Sequence, residues 1–343
     1  MLRALFLFAT LFSVYASEIS LRGSTMATLL DDHDEWKQFS NFQERFARKY
    51  ETLEELENRF QVFRTNLRNI VIHNLDHNQN FTMGVNQFTD LTPEEFKAQY
   101  VTGIKGKVES SGCGSFSSSA SGAPSSIDWR NKGAVTSVKD QGQCGSCWTF
   151  SATGAIEGAW AISKGQLIDL SEEQLVECAG LKYGSMGCNG GQMDGAFKYV
   201  MEHGQCALSS YPYTSGTGES GSCKTSCSSV AHLSTCSDVK PNDQISLKGA
   251  VAQQPVSIAI EADTKYFQSY SSGVLTSTSC GTNLDHGVLI VGYGEENGIK
   301  YWLVKNSWST TWGDKGYVKI ARSDSTNDAG ICGIGMQPSF PSV

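Results

Sequence analysis

The sequence predicts an α+β protein in consecutive segments, and three observations carry that prediction. Residues 31–100 contain two helix-periodic apolar stripes, residues 147–203 contain three more helix-like segments, and beyond Pro241 the apolar residues gather in short runs rich in β-branched and aromatic side chains. The 343 residues correspond to roughly two domain equivalents, and 39% apolar against 18% charged residues is an ordinary globular balance. A net charge of -8 with no basic patch argues against nucleic acid and anionic membranes as partners.

From the N-terminus, Arg3 precedes an apolar run from Leu5 to Val14, with the small residues Ala16 and Ser17 behind it. This reads as a secretory signal peptide over residues 1–16. The run is too short to span a bilayer, and no second membrane segment follows. A secretory route permits disulfides, which suits the eleven cysteines. Residues 31–100 then read as helical followed by extended. Trp36, Phe39 and Phe46 share a helix face, and Leu53, Leu56, Phe60, Phe63, Leu67 and Ile70 recur at steps of three and four. Residues 102–122 turn to Gly and Ser and read as a flexible, protease-accessible linker. Helices are expected at 147–164, 171–178 and 194–203, the second with Ser171 and Gln174 in capping-box spacing. Strands are expected at 256–262, 287–293, 300–305 and 316–320.

The chemistry concentrates in Gln141-Gly142-Gln143-Cys144-Gly145-Ser146-Cys147-Trp148. Cys147 opens the helix at 147–164, where the partial positive charge and free N–H groups of a helix start favour thiolate. Downstream, His286 stands in Asn283-Leu284-Asp285-His286-Gly287, and Asn306 in Lys305-Asn306-Ser307-Trp308. A thiol, an imidazole to take its proton and an amide to orient the imidazole form a nucleophilic set. Cys144-x-x-Cys147 is also redox or zinc spacing, and a lone histidine in an apolar strand is usually a packed one. Neither alternative accounts for Gln141, Trp148, Asp285-His286 and Asn306-Ser307-Trp308 together. The other histidines show no paired metal-ligand spacing, so no metal and no cofactor is called for.

At these residues the chain resembles the papain-like cysteine proteases of the cathepsin L type. Glu55, Arg59, Phe63, Asn66, Ile70 and Asn74 resemble the interspersed motif of that group's inhibitory propeptide, and Gly84, Asn86, Phe88 and Asp90 its second motif. The resemblance implies a papain-like two-domain fold, a helical left domain and a β-barrel-like right domain with the cleft between them, preceded by a small, mainly helical inhibitory prodomain. It places the propeptide at 17–122 and the peptidase at 123–343, with Ala123-Pro124-Ser125-Ser126-Ile127-Asp128-Trp129-Arg130 resembling a mature start. The propeptide's last stretch would run through the cleft backwards relative to substrate.

The same resemblance assigns roles. Cys147 attacks the scissile carbonyl, His286 partners the thiolate and protonates the leaving amine, Asn306 orients His286, and Trp308 shields that contact. Gln141 and the Cys147 N–H bind the oxyanion. Gly190 and Gly191 admit the substrate backbone. Met193, Ala259 and Leu284, next to Asp285, line the pocket for the second residue before the cut, with Gln337 near its base. That apolar wall suits Leu or Phe. The implied disulfides are Cys144–Cys188, Cys178–Cys223 and Cys280–Cys332. Cys206, Cys227 and Cys236 then allow one further bridge and leave an odd thiol; Cys227 is an alternative to Cys223 as partner of Cys178; and Cys113 pairs only before processing or stays free. Asn80-Phe81-Thr82 is the one glycosylation sequon.

The function so implied is a monomeric cysteine endopeptidase made as a zymogen, inhibited by its own propeptide, activated by its removal in an acidic compartment, and degrading protein and peptide substrates. Its expected location is the secretory pathway, then lysosome or vacuole, or outside the cell. A catalytically silent binding protein and a transpeptidase using the same acyl-enzyme are the competing readings.

Overall fold

A computed structural model of the chain describes residues 32–104 and 112–343; the expected signal peptide lies outside the described residues. The chain divides into two units, residues 1–68 and 69–343.

In the first unit, helix α1 (Asp32–Arg45) carries acidic residues in its first turn and Arg45 in its last, which suits the helix dipole. Helix α2 (Leu53–Leu75) begins in this unit. Its start is closed locally: Thr52 Oγ1 accepts from Glu55 N at 3.1 Å, and the Glu55 carboxylate accepts from Glu51 N at 2.9 Å. The apolar stripes meet ring on ring. Trp36 stacks on Phe60 with centroids 3.6 Å apart, and Phe63 lies 5.2 Å from Phe39 and 5.1 Å from Phe42. Glu35 is fully buried and tolerable there because Arg64 and Arg68 each approach its carboxylate to 2.6 Å.

The second unit contains the end of α2, strand β1 (Phe81–Met83) and helix α3 (Pro93–Tyr100). The expectation that this region ends extended fails at α3. Thr92 and Glu95 form a reciprocal capping box and Pro93 occupies the first turn, signals that were present in the sequence. Strands β2 (Gly114–Phe116) and β3 (Ile127–Asp128) follow, then helices α4 (Cys147–Lys164), α5 (Glu172–Cys178) and α6 (Met193–His203). The remainder is β4 (Gln205–Cys206), β5 (Ser229–Ala231), β6 (Thr235–Val239), α7 (Gln244–Val251), β7 (Val256–Ile260), α8 (Lys265–Gln268), β8 (Tyr270–Leu275), β9 (His286–Glu296), β10 (Ile299–Lys305), β11 (Tyr317–Ala321) and β12 (Ser339–Ser342).

Among the described residues, one ten-stranded sheet runs in the order β1-β8-β11-β10-β9-β7-β12-β6-β2, with β3 on β9. Its central strands read as unbroken apolar runs because both faces are covered. In β9, Val288 and Ile290 join a core with Ile258, Trp302 and Val318, while Leu289 and Val291 join the helical core of Trp148, Ile156 and Phe197. The period-two alternation thus feeds two cores, one under the helices and one inside the sheet. The β9–β10 hairpin turns at Asn297-Gly298, both with positive φ (52° and 81°), the pairing that two-residue hairpins require. The turn and a one-residue register shift between Leu303 and Val304 place Lys305 opposite Leu289, so the start of β9 and the residue after β10 lie at the same open end.

Within the expected linker at 102–122, the described residues at its two ends are held in place. Val101 is buried and Gly103 and Ile104 are held against Gly191, while Gly114–Phe116 forms an edge strand parallel to β6. The three implied disulfides and one further bridge are present, and the expected odd thiol is instead paired with Cys113. Besides Cys144–Cys188, Cys178–Cys223 and Cys280–Cys332, the structure contains Cys206–Cys227 and Cys113–Cys236. There is no odd structural thiol: Cys147 is the free cysteine.

Candidate active site

Three pieces of chain converge at the open end of the hairpin. Helix α4 brings Cys147 on its first residue and packs along β9. The approach is tight at Gly287, where a Cβ would stand 3.2 Å from the Cys147 carbonyl oxygen. The Gly287 N–H donates to Cys147 Sγ at 3.1 Å, which sets the thiol beside the residue that follows His286.

His286, fully buried, is held from two sides. Its Nε2 lies 2.8 Å from Asn306 Oδ1, and its ring stacks on Trp308 at 4.5 Å. Asn306 Oδ1 also accepts from Ser307 N at 2.8 Å, so this oxygen is an acceptor and the imidazole proton belongs on Nε2. The neutral ring therefore leaves Nδ1 as a lone-pair acceptor, and Nδ1 has no hydrogen-bond partner.

Gln141 sits on a loop fixed at its base by Lys139. The Lys139 ammonium contacts Glu157 at 3.3 Å, Glu172 at 2.6 Å and Asp169 at 2.6 Å. Burial works against its charge, yet Glu157 and Glu172 hold its pKa above the usual lysine value. The loop then pairs with the 307–309 segment through Gln141 N to Ser307 O and Ser309 N to Lys139 O. Ser307 Oγ donates to Gln141 Oε1 at 2.7 Å, which turns the Nε2 donors the other way. Nε2 reaches Cys144 O at 3.0 Å and Tyr100 O at 3.5 Å. Tyr213 OH donates to Gln141 O at 2.7 Å and lies 2.8 Å from Ser146 Oγ, bracing the loop against the start of α4.

The cleft is filled by residues 101–104. Gly191 N donates to Gly103 O at 2.9 Å, and Ile104 pairs with Gly191 in a parallel bridge. Ile104 packs with Leu284 against the cluster containing Met193 and Ala259. Gln337 Nε2 donates to Gln192 Oε1 at 2.7 Å, and Gly190 caps the turn just before Gly191. Upstream, the segment is riveted down: β1 pairs with β8, Asn86 Nδ2 donates to Gln268 O at 2.7 Å, and Gln268 Nε2 donates to Phe88 O at 3.0 Å. Gln87 Nε2 donates to Trp308 O at 2.7 Å, while Phe88 and Phe96 both meet the Trp308 ring edge-on at 5.3 Å. Gly84 N donates to Ser269 O, Asn74 brackets Met83 with two bonds, and Ile70 joins the sheet core. Asp90 is buried beside Thr89.

Burial dominates the electrostatics of the site. Burial pushes the Cys147 thiol up to about 12, against the favourable Gly287 N–H. Burial also holds His286 down to about 4, against the Asn306 bond. The helix start does not win here: both partners are neutral. Asp285, whose Oδ1 accepts from Ala262 N at 2.7 Å, is pushed up to about 7 by burial, with Asp263 and Glu261 adding repulsion. Asn80, at the start of β1, is exposed, with Nδ2 3.4 Å from Thr276 Oγ1.

Sequence reasoning missed several members of this site. Gly287, Ser307 and Gln192 adjoin residues that were named, and neighbours in a quoted motif are the one signal that pointed to them. Gly103 acts through close backbone approach, for which spacing has no signature.

Comparison with known proteins agrees with the geometry. The family model described as papain family cysteine protease matches residues 123–342, and the cathepsin propeptide inhibitor domain matches residues 39–96. A senescence-specific cysteine protease of Oryza sativa subsp. japonica is 42% identical over 324 residues, covering 92% of this chain and 91% of the relative. Among solved structures, a recombinant stem bromelain precursor superposes with a TM-score of 0.81 at 38% identity, over 90% of this chain and 99% of that one. A digestive procathepsin L proteinase from the larval midgut of Tenebrio molitor gives 0.82 at 39% identity, over 90% and 100%.

Proposed function

The chain belongs to the papain family of cysteine proteases, with a propeptide inhibitor domain, and from that premise we propose that it is a self-activating endopeptidase captured here in its silent proform. The observation that carries the reading is the placing of Gly103 over Cys147, with the Gly103 carbonyl bound by Gly191 and the Tyr100 carbonyl reaching Gln141.

Once residues 101–104 leave, water and substrate enter the space they occupied. The Cys147 proton passes to His286 Nδ1, and the sulfur attacks the scissile carbonyl. The oxyanion takes N–H groups from Gln141 Nε2 and the start of α4. Collapse breaks the C–N bond as His286 returns the proton to the leaving amine. Water then adds to the acyl-sulfur carbonyl, gives its proton to His286 and releases Cys147.

Ile104 and Leu284 pack against the apolar cluster that includes Met193 and Ala259, which supports a preference for Leu or Phe at the second position before the cut. Delivery through the secretory pathway to an acidic compartment and a role in protein degradation complete the proposal. No described helix is long and apolar enough to cross a membrane.

An acid time course on the purified proform tests this, with a Phe- or Leu-containing peptide as substrate and Cys147→Ala alongside. Activity that rises with loss of the propeptide and is absent from Cys147→Ala is the expected result. A processed, folded but silent wild type would support the binding-protein reading instead.

A further inference from the structure

The structure leaves a short strand where processing at Ala123 would discard one. We propose that residues 113–122 remain part of the catalytic domain after the propeptide is removed, tethered by the Cys113–Cys236 disulfide. The proposal rests on the zymogen reading and concerns what activation leaves behind.

Cutting a peptide bond at Ala123 does not break a sulfur–sulfur bond. Cys113 is joined to Cys236, and Cys236 is 1% exposed on β6, so reducing thiols can reach this bridge only from the Cys113 side. Backbone pairing adds to the covalent hold. Gly114, Ser115 and Phe116 pair in parallel with Ser237, Asp238 and Val239, and Phe116 O accepts from Lys240 N at 2.9 Å. The Phe116 ring meets Phe340 of β12 edge-on at 5.1 Å. Further along, Ser118 N donates to Ser246 Oγ at 3.0 Å and Ser246 Oγ donates back to Ser118 O at 3.2 Å. Loss of β2 would uncover an edge of β6 with its unpaired backbone groups, a poor outcome for an isolated protein.

The strand also borders the site. Cys113, Gly114, Asp194, Asp238 and Gln337 line one cavity of about 160 Å³, so the retained segment backs the loop that carries Gln337. Two processing patterns satisfy the proposal. The mature chain starts at or before Cys113, or it starts near Ala123 with a disulfide-linked peptide attached.

The test is an intact mass under denaturing, non-reducing conditions, repeated after reduction and alkylation. Processing is run twice: by self-activation of the wild type in acid, and by limited pepsin digestion of Cys147→Ala. Failure of self-processing counts against the zymogen reading, and the pepsin arm still reports on the strand. A non-reduced mass that includes Cys113, as one chain or as a mass that falls by a Cys113-containing peptide on reduction, is expected in both arms. A chain beginning after Cys113 with nothing attached, and Cys236 free or paired elsewhere, would overturn the proposal.

Discussion

Gly103 passes so close to Cys147 that a Cβ on it would lie far inside van der Waals contact of the sulfur and 2.9 Å from the Gly145 carbonyl oxygen. The second clash is with backbone, which cannot swing aside. Overpacking of this kind typically costs about 1–3 kcal/mol, or roughly a 5- to 150-fold weaker seat for the segment. Gly103→Ala should therefore raise the rate at which a thiol reagent labels Cys147 in the uncut proform at pH 7 by at least about fivefold. An unchanged rate would mean that the segment is held without help from this contact.

Gln141 and Ser307 should separate by magnitude. Removing the Gln141 amide would take away the proposed oxyanion donor, and kcat of the activated enzyme should fall about 100- to 1,000-fold. Ser307→Ala leaves the donor in place but frees its orientation, a loss of about 1 kcal/mol and so roughly fivefold in kcat with KM unchanged. Equal effects from the two variants would show that Ser307 does more than aim the amide.

Asp285 links stability to pH in a direction opposite to the usual carboxylate. Its pKa in the proform is raised from 3.8 to about 7, by burial first and then by Asp263 and Glu261, with Lys97 working the other way. The ionised form is thus penalised above about pH 7, and the penalty disappears as pH falls below the unfolded value near 4. Asp285→Asn keeps an acceptor for Ala262 N and should raise the proform's melting temperature at pH 7.5 by a few degrees, with no gain at pH 4. Equal gains at both pH values would remove titration as the cause. On this sign, protonating Asp285 stabilises the folded proform and so does not drive the proposed activation by acid.

Glu35 makes a separate point about the first unit. Glu35→Ala removes the buried anion but leaves Arg64 and Arg68 partly exposed, Arg64 still paired with Asp32, so the loss is that of charged hydrogen bonds, about 1.5–3 kcal/mol. Hydrogen exchange over residues 32–67 of the full proform should show opening accelerated by at least about tenfold. Protection equal to wild type would mean that the aromatic stack alone holds these helices.

How much of this was legible in advance depended on the kind of signal. Cys147, His286 and Asn306 stood in short motifs, and the α2 stripe declared itself by period because every third or fourth residue is apolar. Strands such as β9 were legible as runs of Val, Leu and Ile, although their sorting between two cores was not. The edge strand β2 was hidden because Gly114-Ser115-Phe116 lies in Ser-rich sequence and is strand only through its pairing with β6 and its bond through Cys113. Long-range pairing has no local signature, and the same limit applied to Cys206–Cys227. The neutral state of Cys147 was hidden for another reason: the helix start argues for thiolate, and only the buried position of the thiol shows which effect is larger.

On the proposed reading, residues 101–104 silence the enzyme by covering Cys147 and keeping it a neutral thiol. Because Cys147 is the only free cysteine among the described residues, its alkylation by iodoacetamide can be followed against pH in the uncut proform and in the activated enzyme. A thiol with a pKa of about 12 has a thiolate fraction on the order of 10⁻⁵ at pH 7. The account predicts slow proform labelling that climbs about tenfold per pH unit through pH 9 without a plateau, and fast labelling at pH 6–7 once the segment is gone. Proform labelling as fast as that of the activated enzyme, with a plateau already reached at pH 6, would contradict it.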